Sequence, residues 1–316
     1  MNRTFRVNRT RSLSIAFSAI AAAAISLSAT DNSFAMGWKI AVINSAGEVW
    51  ARDLSENQVG PGEKLSGPSL FGGPNDQIVL GTSEISPSLL FLMGVINVIN
   101  TSGEVWSRYV NDTTVDAGLP LGGTLFGGSD AKYVTIASIN DISAFFSRCP
   151  SIFYVINSRG EVWRHPITSD GVSGGHKLDG PSLFVGSNDK YVVLDPGAPS
   201  LLVINTLGEV WAHDLSGSLF QALVPGVPVC PNDFTTVGAG HKLNGPTLFS
   251  GPNDKYVVSA RIAGINRLLV INTAGEVWLR DISGTTVGPG VKLDGPGLFR
   301  GSDDKYVVTY YATWYD

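Results

Sequence analysis

The sequence predicts an all-β fold, a five-bladed β-propeller with about four antiparallel strands in each blade. The tetrapeptide Gly-Glu-Val-Trp occurs five times, ending at Trp50, Trp106, Trp163, Trp211 and Trp278. The chain also contains 37 Gly and 17 Pro, a composition that favours short strands and turns. Each repeat is about 48 residues long, which is enough for four short strands and is typical of a propeller blade.

The N-terminal segment has the pattern of a secretory signal peptide. Basic residues precede an apolar stretch that begins at Leu13, and small residues stand before a cleavage point after Ala35. We therefore expect residues 1–35 to be removed, residues 36–316 to form a single propeller domain, and the protein to be secreted or periplasmic. An uncleaved anchor is the alternative, which the short, Ala- and Ser-rich stretch disfavours, and we expect no membrane span elsewhere.

Each repeat is predicted to contain four strands, A to D. Strand A has the sequence type Leu-Leu-Val-Ile-Asn, strand B is Glu-Val-Trp-x-Arg-Asp, strand C runs into Lys-Leu, and strand D is Lys-Tyr-Val-Val. The link Asn-x-x-Gly between strands A and B suits a tight hairpin, because Asn opens a turn and Gly accepts a left-handed backbone. Strands A and D are apolar on both faces, as expected for sheets that lie between neighbouring blades.

The two ends of the mature chain predict a closed ring. The chain enters at Trp38, already in strand A, and leaves through a strand D that ends at Val308. We expect the C-terminal blade to pack against the N-terminal blade, and the residues after Val308 to be available for pairing with its edge. An open solenoid is the alternative, but it would need polar capping repeats, which the sequence lacks.

The links between strands predict two different faces. Length varies mainly in residues 81–97, 136–152 and 216–237, within D-to-A and B-to-C links, which share one irregular face. The A-to-B and C-to-D links form a regular face that is nearly the same in every blade. Cys149 and Cys230 both lie in irregular-face links of neighbouring blades, so we expect a disulfide between them after export, with two unpaired buried thiols as the alternative.

Charge and motif content disfavour several functions. Residues 1–35 contain four Arg and one Asp, so their removal changes the net charge from −5 to −8. We expect such an acidic chain to bind nucleic acids poorly, because phosphate groups are negatively charged. The chain has no Gly-x-Ser-x-Gly, His-Glu-x-x-His or phosphate-binding loop. The four His occupy positions that other repeats fill with Arg, Glu or Val, which argues against a metal site. We therefore expect no enzyme activity, no catalytic residues, no metal and no cofactor.

The candidate binding residues recur with the repeat. The motif Trp on strand B either offers a stacking surface to a sugar ring or packs against the next blade. The Asn-Asp loops before strand D have three alternative roles: they accept hydrogen bonds from sugar hydroxyls, they hold calcium, or they serve only as turns. Their sequence does not match a calcium-binding loop. The candidate carbohydrate-binding residues are Trp50, Asn75, Asp76, Trp106, Trp163, Asn188, Asp189, Trp211, Asn253, Asp254, Trp278, Asp303 and Asp304.

The repeat as a whole, Asn-x-x-Gly-x-Val-Trp followed by Lys-Leu-x-Gly-x-x-x-Phe, resembles that of the tachylectin family of five-bladed propeller lectins over the whole mature chain. This resemblance implies binding of N-acetylated amino sugars between adjacent blades, at the Asn-Asp loops and motif Trp residues. The second repeat, with Ser129-Asp130-Ala131, departs most from the pattern. We expect a secreted, multivalent carbohydrate-binding protein whose partners are glycans or glycoconjugates. The alternative is a scaffold that binds a surface protein through the irregular loops.

Overall fold

The computed structural model describes residues 36–71, 76–85, 92–126, 131–137, 151–168, 170–184, 189–196, 198–217, 234–249, 254–299 and 303–313. The regular elements among these residues are β-strands, and none of the described residues belongs to a helix able to cross a bilayer. The predicted signal peptide, the predicted disulfide between Cys149 and Cys230, and most of the length-variable links lie outside the described residues.

The strands form five antiparallel sheets, and the chain is the five-bladed β-propeller expected from the repeat. Blade 1 contains β1 (Met36–Asn44), β2 (Val49–Leu54), β3 (Glu63–Lys64) and the last strand of the chain, β23 (Asp304–Thr313). Blade 2 contains β4 (Asp76–Ile85), β5 (Leu92–Asn100), β6 (Val105–Val110) and β7 (Leu119–Leu121).

The other three blades each divide the outermost strand into two short pieces. Blade 3 contains β8 (Ala131–Ala137), β9 (Ile152–Asn157), β10 (Val162–Thr168), β11 (Gly171–Val172) and β12 (His176–Lys177). Blade 4 contains β13 (Asp189–Leu194), β14 (Ser200–Asn205), β15 (Val210–Ser216), β16 (Thr236–Val237) and β17 (His241–Lys242). Blade 5 contains β18 (Asp254–Ile262), β19 (Ile265–Asn272), β20 (Val277–Ser283), β21 (Thr286–Val287) and β22 (Val291–Lys292).

The division of strands among blades differs from the sequence expectation. Strand D does not complete the blade of its own repeat; it forms the innermost strand of the next blade and pairs with the next strand A. In blade 5 only Ala263 and Gly264 separate β18 from β19, a link short enough to require a hairpin. For the same reason the ring closes inside blade 1, where β23 pairs with β1 from Thr313 opposite Met36 to Asp304 opposite Asn44. Closure therefore combines main-chain hydrogen bonds within the sheet of blade 1 with the expected packing of blade 5 on blade 1, whose side chains share one apolar cluster.

The hydrophobic core is divided among the five seams between blades. Side chains of strand A alternate between the two neighbours: Leu201 and Val203 join the cluster shared with blade 3, whereas Leu202 and Ile204 join the cluster shared with blade 5. This alternation explains why strand A is apolar on both faces. Each blade thus buries both surfaces of its sheet against other blades, and the apolar clusters of the described residues are all shared between two blades.

A belt of main-chain hydrogen bonds joins the outer edges of the blades. In every seam a Val N–H donates to a carbonyl oxygen of the preceding blade at 2.6 to 2.8 Å, as Val237 N does to Asp179 O. The Gly of the Lys-Leu-x-Gly motif lies at this junction. A Cβ atom on Gly180 would lie 2.1 Å from Val237 O, and the φ angle of Gly180 is +137°. The motif Gly is therefore required by close approach of two blades and by a left-handed backbone.

The residue two positions after the motif Trp projects into the seam and is buried in every blade. Where it is Arg, its guanidinium donates to a Leu carbonyl of the preceding blade, as Arg280 does to Leu248 O at 2.9 Å and Arg108 to Leu70 O at 3.2 Å. In blades 3 and 4 it is His, and the described contacts of these imidazoles stay within their own blades. His165 and His213 bond through Nδ1 with Ser173 O and Gly238 O, each at 3.2 Å.

Candidate ligand-binding site on the regular face

The Asn-x-x-Gly turns place the same polar groups on the regular face of all five blades. In blade 4, Asn205 Oδ1 accepts hydrogen bonds from the main-chain N–H groups of Leu207 and Glu209, both at 3.0 Å. Equivalent bonds occur at the Asn of the other four turns. The Asn side chain therefore fixes the turn, and its Nδ2 group is left to donate towards the Glu that begins strand B.

The Glu of each turn is held by two donors in four of the blades. In blade 4, Asn205 Nδ2 donates to Glu209 Oε2 at 2.8 Å, and Lys242 Nζ donates to Glu209 Oε1 at 2.5 Å. We call this arrangement the polar cluster. Its members are Asn44, Glu48 and Lys64 in blade 1; Asn157, Glu161 and Lys177 in blade 3; Asn205, Glu209 and Lys242 in blade 4; and Asn272, Glu276 and Lys292 in blade 5.

Blade 2 has an incomplete polar cluster. Asn100 Nδ2 donates to Glu104 Oε2 at 2.7 Å, as in the other blades. Pro120 stands opposite Trp106 in the register, at the position that Lys occupies elsewhere. Among the described residues of blade 2, therefore, no ammonium group neutralises Glu104.

The polar clusters are exposed ion pairs. The Lys side chains of the four complete clusters are 48 to 50% exposed. The pKa of each Glu in these clusters is lowered, first by the hydrogen bond from Lys and next by the one from Asn. The carboxylates therefore stay ionised at neutral pH, and the clusters contribute little to stability because water screens them.

The motif Trp lies beside the polar cluster of its own blade. Trp211 is the register partner of Lys242 on one side and of Val203 on the other, so its side chain faces blade 3. Trp163, Trp211 and Trp278 each pack partly against the apolar core of the seam with the preceding blade. Part of each indole nevertheless remains accessible, and Trp106 is 39% exposed. Each motif Trp thus has a buried side and an accessible side.

The acidic residues that begin the inner strands lie on the same face but farther from Trp. Asp189 is opposite Asn205, Asp254 opposite Asn272, and Asp304 opposite Asn44. Asp and Trp are two strands apart, roughly 10 Å at ordinary strand spacing. One blade therefore presents Asp, Asn, Glu and Lys in a row across the sheet, and only Glu and Lys adjoin Trp.

Aromatic pairs position the loops that cross from one blade to the next. The Phe that ends Lys-Leu-x-Gly-x-x-x-Phe meets the Tyr of the inner strand of its own blade, as Phe249 meets Tyr191 with ring centroids 6.1 Å apart. Lys190 Nζ lies 5.0 Å from the centroid of the Phe249 ring and 5.2 Å from that of Tyr191. Burial raises the pKa of Tyr191 to about 12, so this ring keeps its proton at any physiological pH.

The sequence-predicted site residues divide into three groups. The five motif Trp residues and Asp189, Asp254, Asp303 and Asp304 lie among the described residues. Only the main chain of Asp76 is described, at the start of β4, and Asn75, Asn188 and Asn253 lie outside the described residues. The second repeat, which departs most in sequence, contributes Ala131 opposite Asn157, so the inner strand of blade 3 begins without the Asp of the other blades.

Sequence reasoning missed the Glu and Lys of the polar cluster as site residues. Both recur in the motifs Asn-x-x-Gly-Glu and Lys-Leu, which indicated strands and not binding residues. Their shared position in the repeat was the available signal. No group of three His, Cys, Asp or Glu side chains suited to a metal ion occurs in the part of the chain that the structure describes.

Comparison with known proteins identifies no family. No family model and no curated protein matches the chain. Solved structures that it resembles include the WD40 domain of SCAP from fission yeast, at 13% identity over 76% of this chain and 49% of that one, with a TM-score of 0.34. Prp20p from Saccharomyces cerevisiae shares 10% identity over 81% of this chain and 61% of that one, with a TM-score of 0.32.

A further similar structure is apo AztD from Citrobacter koseri, with 11% identity over 86% of this chain and 61% of that chain, and a TM-score of 0.32. The chain spans about half to three fifths of the length of these three proteins. Similarity at this level assigns no function.

Proposed function

We propose that the protein is a non-catalytic, multivalent carbohydrate-binding protein whose sites lie on the regular face. The observation that supports this function is the recurrence of one arrangement, a partly accessible indole beside an exposed Glu–Lys pair, in blades 1, 3, 4 and 5. An indole face packs against the C–H groups of a sugar ring, and ionised groups at its edge bond to hydroxyl or acetamido groups.

Repetition around a ring gives the proposed function its physical advantage. A single exposed site of this kind is expected to bind weakly, because the ion pair is already solvated and little surface is enclosed. Four sites on one face of a rigid ring can bind a branched or clustered glycan together, and the later contacts form at a high effective concentration. We expect the blade 2 site to bind least, because it lacks the Lys.

A glycan array with the mature protein, with and without calcium, tests the proposal. We expect binding to N-acetylated amino sugars displayed at high density and much weaker binding to single residues in solution. Titration with a monovalent sugar should give more than one site per chain. A blank array under both conditions would overturn the carbohydrate proposal.

Substitutions in the polar clusters test whether glycans bind on the regular face. The fourfold variant Lys64→Met, Lys177→Met, Lys242→Met and Lys292→Met removes four exposed ammonium groups that contribute little to stability. We expect a loss of array binding of tenfold or more at an unchanged melting temperature. The matched control carries Met at the four Lys residues outside the polar clusters, Lys39 excepted because it is buried: Lys132→Met, Lys190→Met, Lys255→Met and Lys305→Met. Equal losses in both variants would place the site elsewhere.

A scaffold for a protein partner is the second candidate. It requires the irregular face, so deletion of residues 218–233 should abolish partner binding while the fourfold Lys variant retains it. The opposite pattern would exclude the scaffold and support binding at the polar clusters.

A further inference from the structure

A cavity of about 930 Å³ lies along the ring axis, and the proposed sugar sites do not use it. Its walls are the five inner strands, and it extends from a layer that includes Val79, Val134 and Val192 towards the irregular face. The inner Tyr residues at the regular face do not line it. The lining residues from Val192 in β13 to Pro196 just beyond it cover four residue steps, which corresponds to a depth of about 13 Å. This volume is in the range of pockets that enclose a small organic ligand.

The walls of the cavity differ between the two sides of the ring. On the side of blades 3 and 4 the third layer consists of Ile136 and Leu194, which are apolar. On the side of blades 5 and 1 the same layer consists of Ser259 and Thr309, and Thr309 Oγ1 donates to Ser259 O at 2.7 Å. Each inner strand is also the last strand of its sheet, so one main-chain edge of each faces the axis without a partner strand. A ligand inside meets apolar side chains together with amide donors and acceptors.

At the mouth of the cavity, the described lining residues combine aromatic rings with an accessible guanidinium group. Trp38 and Tyr311 form an edge-to-face pair with centroids 5.7 Å apart, and both line the cavity with Phe234. Arg261 is exposed at the same mouth, where its Nε donates to Gly264 O at 3.3 Å. Its terminal nitrogens have no hydrogen bond or ion pair with a described residue. Among the described lining residues, the other charged group is Asp195, which is buried.

We propose that this axial cavity binds a small amphipathic carboxylate of the N-acyl amino acid class. The acyl chain lies against the valine and leucine walls, where its burial supplies the hydrophobic contribution. The amide group pairs with an inner-strand edge, which satisfies main-chain groups that an all-apolar ligand would leave unpaired. The carboxylate at the mouth accepts hydrogen bonds from the Arg261 guanidinium, whose planar fork suits a carboxylate. An aromatic side chain on the amino acid packs on Trp38 and Tyr311.

Isothermal titration with N-octanoyl-phenylalanine and with its primary amide tests this proposal. The two probes differ only in the charged group. We expect one site per ring and about tenfold tighter binding of the carboxylate, since one charge-assisted hydrogen-bonded pair is lost in the amide. In the Arg261→Gln variant, the affinity for the carboxylate probe should fall to that for the amide probe. The affinity for the amide probe should not change.

Arg159→Gln is the matched control, because Arg159 is also an exposed Arg but lies in a turn of the regular face. It should retain the preference for the carboxylate. Leu194→Trp fills the cavity and should abolish binding of both probes. If the Leu194→Trp variant fails to fold, the comparison of Arg261→Gln with Arg159→Gln still tests the proposal. No heat with either probe at millimolar concentration, equal affinities for the two probes, or the same result in Arg261→Gln and Arg159→Gln would overturn the proposal.

Discussion

At the residue scale, two seams depend on neutral imidazoles where three others use Arg. His165 and His213 are 5% and 1% exposed, and burial lowers the pKa of both. Among the described residues, His213 Nε2 has no hydrogen-bond partner, and the charged or titratable groups that influence this ring are His241, Asp189 and Asp214. Protonation would place a charge in a packed seam, at a desolvation cost that the nearby groups do not offset, so these rings favour the folded state only while they are neutral.

We therefore expect the stability of the ring to fall in mild acid. The folded-state pKa of each buried His is below the unfolded value of about 6.5, so the folded state is fully favoured above that pH and loses stability as the pH falls. The loss for each His over the first pH unit below 6.5 has an upper limit of about 1 kcal/mol, which is set by protonation of the unfolded chain. Thermal unfolding between pH 7.5 and 5.5 measures it.

Arg at both positions provides the matched variant. Gly175 and Gly240 lie against these imidazoles as Gly62, Gly118 and Gly290 lie against Arg52, Arg108 and Arg280, so the seams have room for the longer side chain. The double variant His165→Arg and His213→Arg should lose most of the pH dependence in this range. The same slope in the wild type and in the variant would contradict the assignment.

The motif Gly supplies a second prediction at the residue scale. Gly180→Ala should destabilise the protein by about 2 kcal/mol or more, because the new Cβ would meet Val237 O at 2.1 Å and because φ is +137°. Gly174→Ala is the control, since nothing lies within 4 Å of a Cβ at that position. Urea denaturation compares the two. Equal stability of both variants would show that the belt junction adapts to a methyl group.

At the element scale, the A-to-B turn depends on one amide side chain. Asn272→Ala removes the acceptor for the N–H groups of Ala274 and Glu276, both at 3.0 Å, and the donor to Glu276 Oε2 at 2.7 Å. We expect a loss of about 1 to 2 kcal/mol in the free energy of unfolding, because the turn N–H groups then depend on water alone. Thr273→Ala in the same turn should change it little. A smaller effect at Asn272 than at Thr273 would refute this role.

At the scale of the whole molecule, the ring closes through one strand. Truncation after Asp303 removes β23, which is the inner strand of blade 1 and the partner of β1 along its whole length. We expect the truncated chain to lose cooperative unfolding, since two seams lose side chains such as Val307, Val308 and Tyr310. Adding a synthetic peptide of residues 304–313 should restore a cooperative transition, whereas a scrambled peptide should not. A truncated chain that unfolds at the wild-type temperature would show that closure is dispensable.

The sequence by itself determined the number of blades, the strands and the two faces. The five Trp motifs marked strand B, and Asn-x-x-Gly marked each hairpin, because local turn chemistry and a fixed repeat act within a few residues. The same residues did not reveal that strand D belongs to the next blade. The sequence pattern of a repeat is the same whichever strand is taken as the first. The blade boundary is shown only by the hydrogen bonds of β18 with β19 and of β23 with β1.

Tertiary structure also decided what the recurring residues do. Glu209 and Lys242 are 33 positions apart, so their ion pair follows from the pairing of β15 with β17 and not from any local motif. Gly180 and Val237 meet because blades 3 and 4 pack side by side, and Arg261, Trp38 and Tyr311 line one cavity because blades 5 and 1 adjoin where the ring closes. Periodicity fixes local structure through short-range sterics and burial. Contacts between repeats depend on how the units are assembled, which the sequence of one unit does not encode.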